Sequence, residues 1–258
     1  MFPTRVYHRL YEEARKAGEG LLVEVGTAHG AGTVCLARGV REQRTEGAAA
    51  VHTFEKIVGG SREKYGGVEE NIRIIEDNFR RFGVEETVQL HVGDVREKHD
   101  AIPGDARICL MLLDSDGCID RDFRLFYDRL KPGGSIVIDD YDDKVIARKI
   151  CDGRRFVDQK LKLTKGLVDL LVAKRFLEPD FELVGQTVFA RKPNKAKSIT
   201  NLSFAAVTEV YRSLVFARSK DVSLRGRMKK RLLNLARRQF PRALARRYEK
   251  QLGEDDPR

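Results

Sequence analysis

The 258-residue sequence lacks the features that would place a chain in a membrane or an oxidising compartment. No apolar run approaches the roughly 18 residues of a membrane-spanning helix, and the N-terminus has no apolar stretch of the secretory kind. The four cysteines are scattered, without the pairing pattern of a disulfide scaffold or the CxxC spacing of a metal site. These absences predict a cytoplasmic protein with free thiols.

What the sequence does contain is enough apolar material for a core, together with an uneven distribution of charge. Hydrophobic residues make up 41% of the chain and charged residues 34%, as in a packed domain. Residues 192–258 hold 18 Lys and Arg against 6 Asp and Glu, whereas residues 1–191 hold 31 against 33. We therefore predict a near-neutral domain over 1–191 and a basic helical extension over 192–258.

Short apolar runs alternate with amphipathic stretches along the first region. The predicted strands are Leu21–Val25, Ala49–Glu55, Thr87–Val92, Ile108–Leu113, Ser135–Ile138, Phe181–Val184 and Thr187–Ala190. Helical spacing is found at Thr33–Glu42, Val68–Phe82, Asp120–Leu130 and Leu167–Phe176. This alternation predicts an α/β fold with a Rossmann-like, doubly wound, mostly parallel sheet of seven strands.

A glycine-rich stretch follows the first predicted strand, and acids end the next two. The stretch is Glu24-Val25-Gly26-Thr27-Ala28-His29-Gly30-Ala31-Gly32-Thr33. Gly26 and Gly30 allow a tight strand-to-helix turn, at which a ligand can approach bare backbone. Glu55 ends the second strand, where a carboxylate can accept both hydroxyls of a ribose, and Asp94 follows the third.

A second group of acids follows the fourth and fifth predicted strands. The two stretches are Asp114-Ser115-Asp116-Gly117 and Asp139-Asp140-Tyr141-Asp142-Asp143. Neighbouring strand ends would bring Asp114, Asp139 and Asp140 together, where unpaired carboxylates repel one another. A divalent cation, Mg²⁺ or else Mn²⁺ or Ca²⁺, removes that conflict. Asp142 and Asp143 are better explained as solvated loop residues, and the pattern leaves Asp116 undecided.

These motifs resemble those of a known enzyme family. The spacing E-x-G-x-x-x-G at residues 24–30 resembles motif I of class I S-adenosylmethionine-dependent methyltransferases, and Lys131-Pro132-Gly133-Gly134 matches their usual turn before the fifth strand. The combination LDSD…KPGG…IDDY resembles metal-dependent sugar O-methyltransferases of the macrocin O-methyltransferase type, and residues 26–32 resemble their cephalosporin-hydroxylase-like relatives. The resemblance covers about residues 20–191. It implies a Mg²⁺-dependent O-methyltransferase that modifies a hydroxyl of a sugar, a glycoside or a related natural product.

The resemblance also implies roles for individual residues. The implied cofactor contacts are Glu24, Gly26, Thr27, Gly30, Thr33, Glu55, Asp94 and Asp114. The implied metal ligands are Asp114, Asp139 and Asp140. Asp114 or Asp116 is the first candidate for the general base, with Lys144 and His29 as weaker ones. The catechol and caffeoyl branch carries a lysine three residues after the first metal aspartate; Gly117 stands there, which argues against a catechol acceptor and a lysine base.

Two other functions stay open at this stage. In a nucleotide-sugar glycosyltransferase, Asp114-Ser115-Asp116 would be the DxD motif, but such enzymes need neither the glycine loop nor the Asp139-Asp140 pair. The extension predicts basic amphipathic helices at 203–216 and 224–252, which suit, in decreasing order, docking on the domain or in a homo-oligomer, an anionic membrane surface, and nucleic acid. A nucleic-acid-binding protein or RNA methyltransferase is therefore the third hypothesis. The partner expected first is a small-molecule or glycan acceptor.

Overall fold

A computed structural model describes residues 2–42, 50–57, 67–149 and 155–220, with backbone alone at 146–149, 155–157 and 215–220. The chain divides into two compact units, residues 1–211 and residues 212–258. The helix predicted at 224–252 lies outside the described residues, so its docking, membrane and nucleic-acid roles stay predictions. No helix among the described residues is long and apolar enough to cross a bilayer.

Seven strands of the first unit form one sheet, as the alternation of apolar runs predicts. They are β1 (Leu21–Val25), β2 (Val51–Glu55), β3 (Val88–Val92), β4 (Ile108–Leu113), β5 (Leu130–Ile138), β8 (Glu182–Val184) and β9 (Thr187–Arg191). Their spatial order is β3-β2-β1-β4-β5-β9-β8. The first five are parallel, and β9 and β8 are antiparallel to their neighbours. A separate antiparallel pair, β6 (Ile146–Lys149) and β7 (Arg155–Asp158), was not predicted.

Helices connect the strands. They are α1 (Thr4–Lys16), α2 (Ala31–Arg41), α3 (Val68–Arg81), α4 (Val95–Lys98), α5 (Ile119–Phe126), α6 (Lys160–Ala173) and α7 (Phe204–Lys220). The sequence prediction missed α1 and the short α4. It also placed the start of α6 at Leu167, seven residues too late.

The buried side chains form two clusters that the alternation along the strands separates. In β4, Met111 and Leu113 belong to one cluster, and Leu110 and Leu112 belong to the other. The first cluster includes residues of α5 and α6, and the second includes residues of α1, α2 and α3. Every residue of β4 is buried, as expected for a central parallel strand covered on both faces.

Residues 192–211 belong to the first unit, although the sequence prediction assigned them to the extension. Ile199, Leu202 and Val207 are buried in the cluster that contains α5 and α6. Arg124 donates a hydrogen bond from Nη2 to the Leu202 carbonyl oxygen at 2.8 Å. The chain therefore continues to pack on the domain after the Pro-containing stretch that suggested a linker.

The strand order places a ligand crevice at one point of the sheet. From β1 the chain moves outward through β2 and β3, then crosses to β4 on the other side of β1 and continues to β5. In open α/β sheets, ligands bind beyond the carboxyl ends of the strands where the order reverses in this way. That point lies between β1 and β4, which end at Val25 and Leu113.

Candidate active site

The glycine turn after β1 is locked against the start of the acidic stretch after β4. Asp114 donates its backbone N–H to the Val25 carbonyl oxygen at 2.9 Å. Gly26 has a φ of 102°, and a Cβ at this position would collide with the carbonyl oxygen of Asp114. Only glycine therefore fits at residue 26, and the predicted cofactor loop and the predicted metal site meet at one backbone contact.

The loop after Gly26 has a backbone conformation that suits contacts between main-chain groups and a ligand. Ala28 and Gly30 also have left-handed φ values, of 50° and 85°. Gly30 precedes the first residue of α2, whose N-terminus has no side-chain cap. Backbone N–H groups at such a helix start carry partial positive charge and suit an anionic ligand group.

Three residues with a predicted cofactor role instead hydrogen bond through their side chains inside the loop. Glu24 is 1% exposed, and its Oε2 accepts hydrogen bonds from the hydroxyls of Thr33 (2.5 Å) and Thr53 (2.6 Å). The hydroxyls of Thr27 and Thr53 are 2.5 Å apart. Burial raises the pKa of Glu24 to about 7, although both threonine hydroxyls favour the ionised form. The side chains of Glu24, Thr27 and Thr33 are thus engaged in hydrogen bonds that hold the loop in place. Any contact of these residues with the cofactor would therefore be made by their backbone groups.

Glu55 lies at the end of β2, as predicted, and its carboxylate reaches into the same loop. Oε2 accepts the backbone N–H of Ala28 at 2.7 Å, and Oε1 accepts that of Ile57 at 3.1 Å. A carboxylate has about four lone-pair sites and can accept several hydrogen bonds at once. The predicted contact between Glu55 and the cofactor is compatible with this arrangement and stays a prediction.

Asp94 follows β3, as predicted, and caps the short helix α4. Its carboxylate accepts the backbone N–H of Arg96 at 3.0 Å and pairs with the Arg96 guanidinium and the Lys56 ammonium. The Arg96 guanidinium holds the pKa of Asp94 well below its usual range. The implied contact between Asp94 and the cofactor stays a prediction, and the structure shows Asp94 paired with two cations.

Asp114, Asp139 and Asp140 come together, as their strand ends predict. One carboxylate oxygen from each lies within 4.8 Å of the others. Asp139 donates its N–H to the Leu113 carbonyl oxygen at 3.0 Å, and Thr187 on β9 donates its hydroxyl to Asp139 Oδ1 at 2.6 Å. Asp140 has a φ of 64°, a left-handed conformation that costs a non-glycine residue about 1 kcal/mol or more and is often found at functional sites.

The donor set fits a hard divalent cation. Three carboxylates at this spacing provide oxygen ligands of the kind that Mg²⁺, Mn²⁺ and Ca²⁺ prefer. The next residue in the chain after Asp114, Ser115, has a buried hydroxyl with no hydrogen-bond partner among the described residues. A buried hydroxyl without a partner is uncommon and is consistent with a site that a ligand completes.

The electrostatics of the cluster favour an added positive charge. Burial, together with the negative charge of the neighbouring Asp114, raises the pKa of Asp139 to about 6. Burial also raises the pKa of Asp114, although the Lys160 ammonium opposes that rise. A cation bound by the carboxylates would stabilise their ionised forms.

Lys160 is the member of the site that the sequence analysis missed. It begins α6, forms an ion pair with Asp140, and places Nζ 3.5 Å from Asp114 Oδ1. Burial alone would lower the pKa of Lys160, but Asp114 and Asp140 outweigh that effect and the pKa is raised. The sequence argued against a lysine here because Gly117 stands at the family position, whereas α6 brings one from 46 residues beyond Asp114.

Two of the other base candidates are engaged elsewhere. Asp116 lies outside the cluster of three, accepts the N–H of Cys118 at 3.1 Å and pairs with Arg121 at 3.1 Å. Although burial raises the pKa of Asp116, these two partners outweigh it and the pKa is lowered. Lys144 pairs with Asp142 at 2.6 Å, and Asp142 also accepts a hydrogen bond from Gln186. Of the four base candidates, Asp114 is the one inside the cluster.

Comparisons with known proteins agree with this geometry. Residues 23–141 match a protein family described as "Methyltransferase domain". The matched segment begins in β1 and ends just after Asp140, so it contains the glycine loop and all three clustered acids. The family match supports the sequence-based interpretation of this segment as a methyltransferase domain. No curated protein sequence matches the chain.

Solved structures with the same fold include enzymes crystallised with the cofactor. An O-methyltransferase from Bacillus cereus in complex with SAH is 17% identical, with a TM-score of 0.55 over 74% of this chain and 82% of that one. The O-methyltransferase TomG from Streptomyces achromogenes, involved in tomaymycin synthesis and in complex with SAM, is 17% identical, with a TM-score of 0.54 over 75% and 82%. Cofactor-bound Rv0187 from MTB is 18% identical, with a TM-score of 0.55 over 76% and 83%. These similarities confirm the predicted fold.

The buried Glu24 generates a testable pH dependence of stability. Its pKa is about 7 in the folded protein and 4.5 in an unperturbed carboxyl, so the unfolded chain releases the proton first as the pH rises. The free energy of unfolding should therefore fall between pH 4.5 and about 7, by on the order of 3 kcal/mol from this residue. Glu24→Gln removes the titration, so its stability relative to the wild type should rise by that amount over the same range.

Urea denaturation of both proteins at pH 4.5, 6.0 and 7.5 measures this difference. Glu97→Gln, an exposed change on α4, is the matched control and should show a constant difference from the wild type. Parallel stability curves for Glu24→Gln and the wild type would contradict the assignment of the raised pKa to Glu24.

Proposed function

We propose that this chain, whose residues 23–141 match a methyltransferase domain, is a class I O-methyltransferase that uses S-adenosylmethionine and a divalent cation, preferably Mg²⁺. The observation that carries the proposal is the contact between Gly26 and Asp114, which joins a cofactor-type glycine loop to a cluster of three carboxylates. A methyl donor and a cation held at these two places would be neighbours in the crevice between β1 and β4. Metal-assisted methylation of a hydroxyl requires that arrangement.

The residues of the loop define how the cofactor would be held. The backbone of residues 26–33 would take the amino-acid end, at the uncapped start of α2. Glu55, whose carboxylate already contacts the loop at Ala28, would accept the ribose hydroxyls. When bound, S-adenosylmethionine supplies a methyl group that its sulfonium charge has already activated.

The acids define how the acceptor would be activated. Asp114, Asp139 and Asp140 would hold the cation, which when bound supplies the positive charge that lowers the pKa of an acceptor hydroxyl. Asp114 is the base candidate inside the cluster, and a carboxylate has two oxygens, one for a cation and one for a proton. Because the Asp114 N–H is bonded to Val25 at the foot of the glycine turn, the base keeps a fixed distance from the cofactor loop.

The acceptor we propose is a hydroxyl of a sugar, a glycoside or a related natural product. The resemblance of the acidic motifs to sugar O-methyltransferases supports it, as does the shared fold with TomG, which takes part in the synthesis of a natural product. Gly117, at the position where the catechol branch has its lysine, separates this chain from that branch.

The geometry weighs against a glycosyltransferase. The two acids of a DxD motif would share a metal, but Asp116 lies outside the cluster and pairs with Arg121. The carboxylates that do converge come from two strands, and Asp139 and Asp140 have no place in that alternative.

Cofactor binding is the first prediction. Calorimetric titration of the full chain with S-adenosylhomocysteine should show micromolar binding. Glu55→Gln should weaken that binding about 10- to 100-fold, because hydrogen bonds to a charged group contribute about 1.5–3 kcal/mol. Glu97→Gln, which lies on the exposed surface of α4, should bind as the wild type does. Equal affinity in Glu55→Gln would overturn the ribose assignment, and heat with a nucleotide sugar and metal instead would favour the glycosyltransferase.

Metal binding is the second prediction. The double variant Asp139→Asn with Asp140→Asn should lose Mn²⁺ binding, followed by electron paramagnetic resonance, and Mg²⁺-dependent methylation of glycosides. It should still bind S-adenosylhomocysteine within about threefold of the wild type. Asparagine is well suited to this test because it tolerates the left-handed conformation of residue 140.

Asp143→Asn is the control for the loss of charge. It lies in the same loop, is exposed and is absent from the cluster. Loss of cofactor binding in the double variant, or retention of Mn²⁺ binding, would contradict the assignment of Asp139 and Asp140 as metal ligands.

A further inference from the structure

Lys160 already contacts two of the three carboxylates that a bound cation would use. Its Nζ forms an ion pair with Asp140 and lies 3.5 Å from Asp114, and both acids belong to the cluster of three. The side chain of Lys160 is 27% exposed, so solvent screens this contact only in part. An ammonium and a divalent cation at this site would draw on the same carboxylate oxygens.

The position of Lys160 is set by the fold around it. A Cβ at Gly117 would lie 3.0 Å from Lys160 Cγ and 3.2 Å from its carbonyl oxygen, so the lysine packs on bare glycine backbone. The backbone N–H of Lys160 is held by Asp158 Oδ1 at 3.0 Å, just before the helix begins. Gly117 has a φ of 92°, which disfavours other residues there. The glycine that departs from the catechol pattern thus makes room for a lysine from α6.

Two other cations of the described residues near these loops pair with other acids. Arg121 pairs with Asp116 and Asp122, and Lys144 pairs with Asp142. Among the described residues, Lys160 is the cation that forms ion pairs with members of the cluster, namely Asp114 and Asp140. Removing its charge would leave these part-buried acids to repel one another more strongly, whereas adding a divalent ion would make two cations share Asp114 and Asp140.

We propose that Lys160 is a built-in counter-ion that stabilises the acidic site without metal and that a divalent cation must displace from Asp114 and Asp140. This inference rests on the metal site of the proposed function. It assigns two effects to the positive charge of Lys160. The charge lowers the affinity of the site for metal, and it reduces the repulsion among the three carboxylates when no metal is bound. Both effects come from one charge, so removing that charge should change both together.

The test compares wild type, Lys160→Met and Lys160→Arg as full chains. Titration with Mn²⁺ should show at least about tenfold tighter binding in Lys160→Met and near wild-type binding in Lys160→Arg, which keeps the charge. In chelator-treated samples at neutral pH, Lys160→Met should unfold at a lower temperature than the wild type, and saturating Mn²⁺ should raise its Tm by more. Lys174→Met is the matched control because it removes a charge at an exposed site just after the last residue of the same helix, about 20 Å from its start.

The outcomes separate this inference from the proposed function. Wild-type binding of Mn²⁺ with equal or weaker binding in Lys160→Met would overturn the counter-ion role and leave the metal site in place. Absence of Mn²⁺ binding in both proteins would contradict the proposed metal site, and with it the proposed competition between the metal and Lys160. If Lys160→Met does not fold, Lys160→Gln replaces it in the same comparison, with the same predicted direction.

Discussion

The site depends on one contact, the close approach of Gly26 to the backbone of Asp114. A parallel sheet whose strand order reverses between β1 and β4 opens a crevice there, and this contact closes the base of the crevice. A side chain at residue 26 would collide with the Asp114 carbonyl oxygen, so the two strand ends would have to move apart. The loop for the methyl donor and the acids for the metal would then lose their fixed separation, on which in-line transfer relies.

The fold stabilises its buried acids in two different ways. Glu24 Oε2 accepts hydrogen bonds from two threonine hydroxyls, which carry no charge, and burial raises the pKa of Glu24 to about 7. The cluster of Asp114, Asp139 and Asp140 instead pairs with the ammonium group of Lys160. Three carboxylates carry more negative charge than one ammonium group neutralises, so the cluster can also bind a divalent cation. Hydroxyl donors suit an acid that holds a loop in place, whereas an exchangeable cation suits acids that take part in chemistry.

The sequence predicted the central sheet and the three clustered acids well, because both follow from local pattern and strand order. The apolar runs of β1, β2 and β4 are almost wholly buried, which makes them easy to recognise, and acids that follow adjacent parallel strands must lie at the same edge. Lys160 was missed because no local pattern links the start of α6 to Asp114. That contact depends on how the helix packs against Gly117. The inward direction of the Glu24, Thr27 and Thr33 side chains was missed for a similar reason, since a motif gives residue types and not the face that each side chain takes.

The central claim is that the glycine loop and the three acids form one site for a methyl donor and a metal ion. A crystal structure of the full chain grown with S-adenosylhomocysteine and saturating Mn²⁺, with anomalous data, tests this claim most directly. The account predicts S-adenosylhomocysteine in the crevice between β1 and β4, with its ribose at Glu55, and an anomalous peak in contact with Asp114, Asp139 and Asp140. Cofactor bound elsewhere, or no manganese at these three carboxylates, would contradict it.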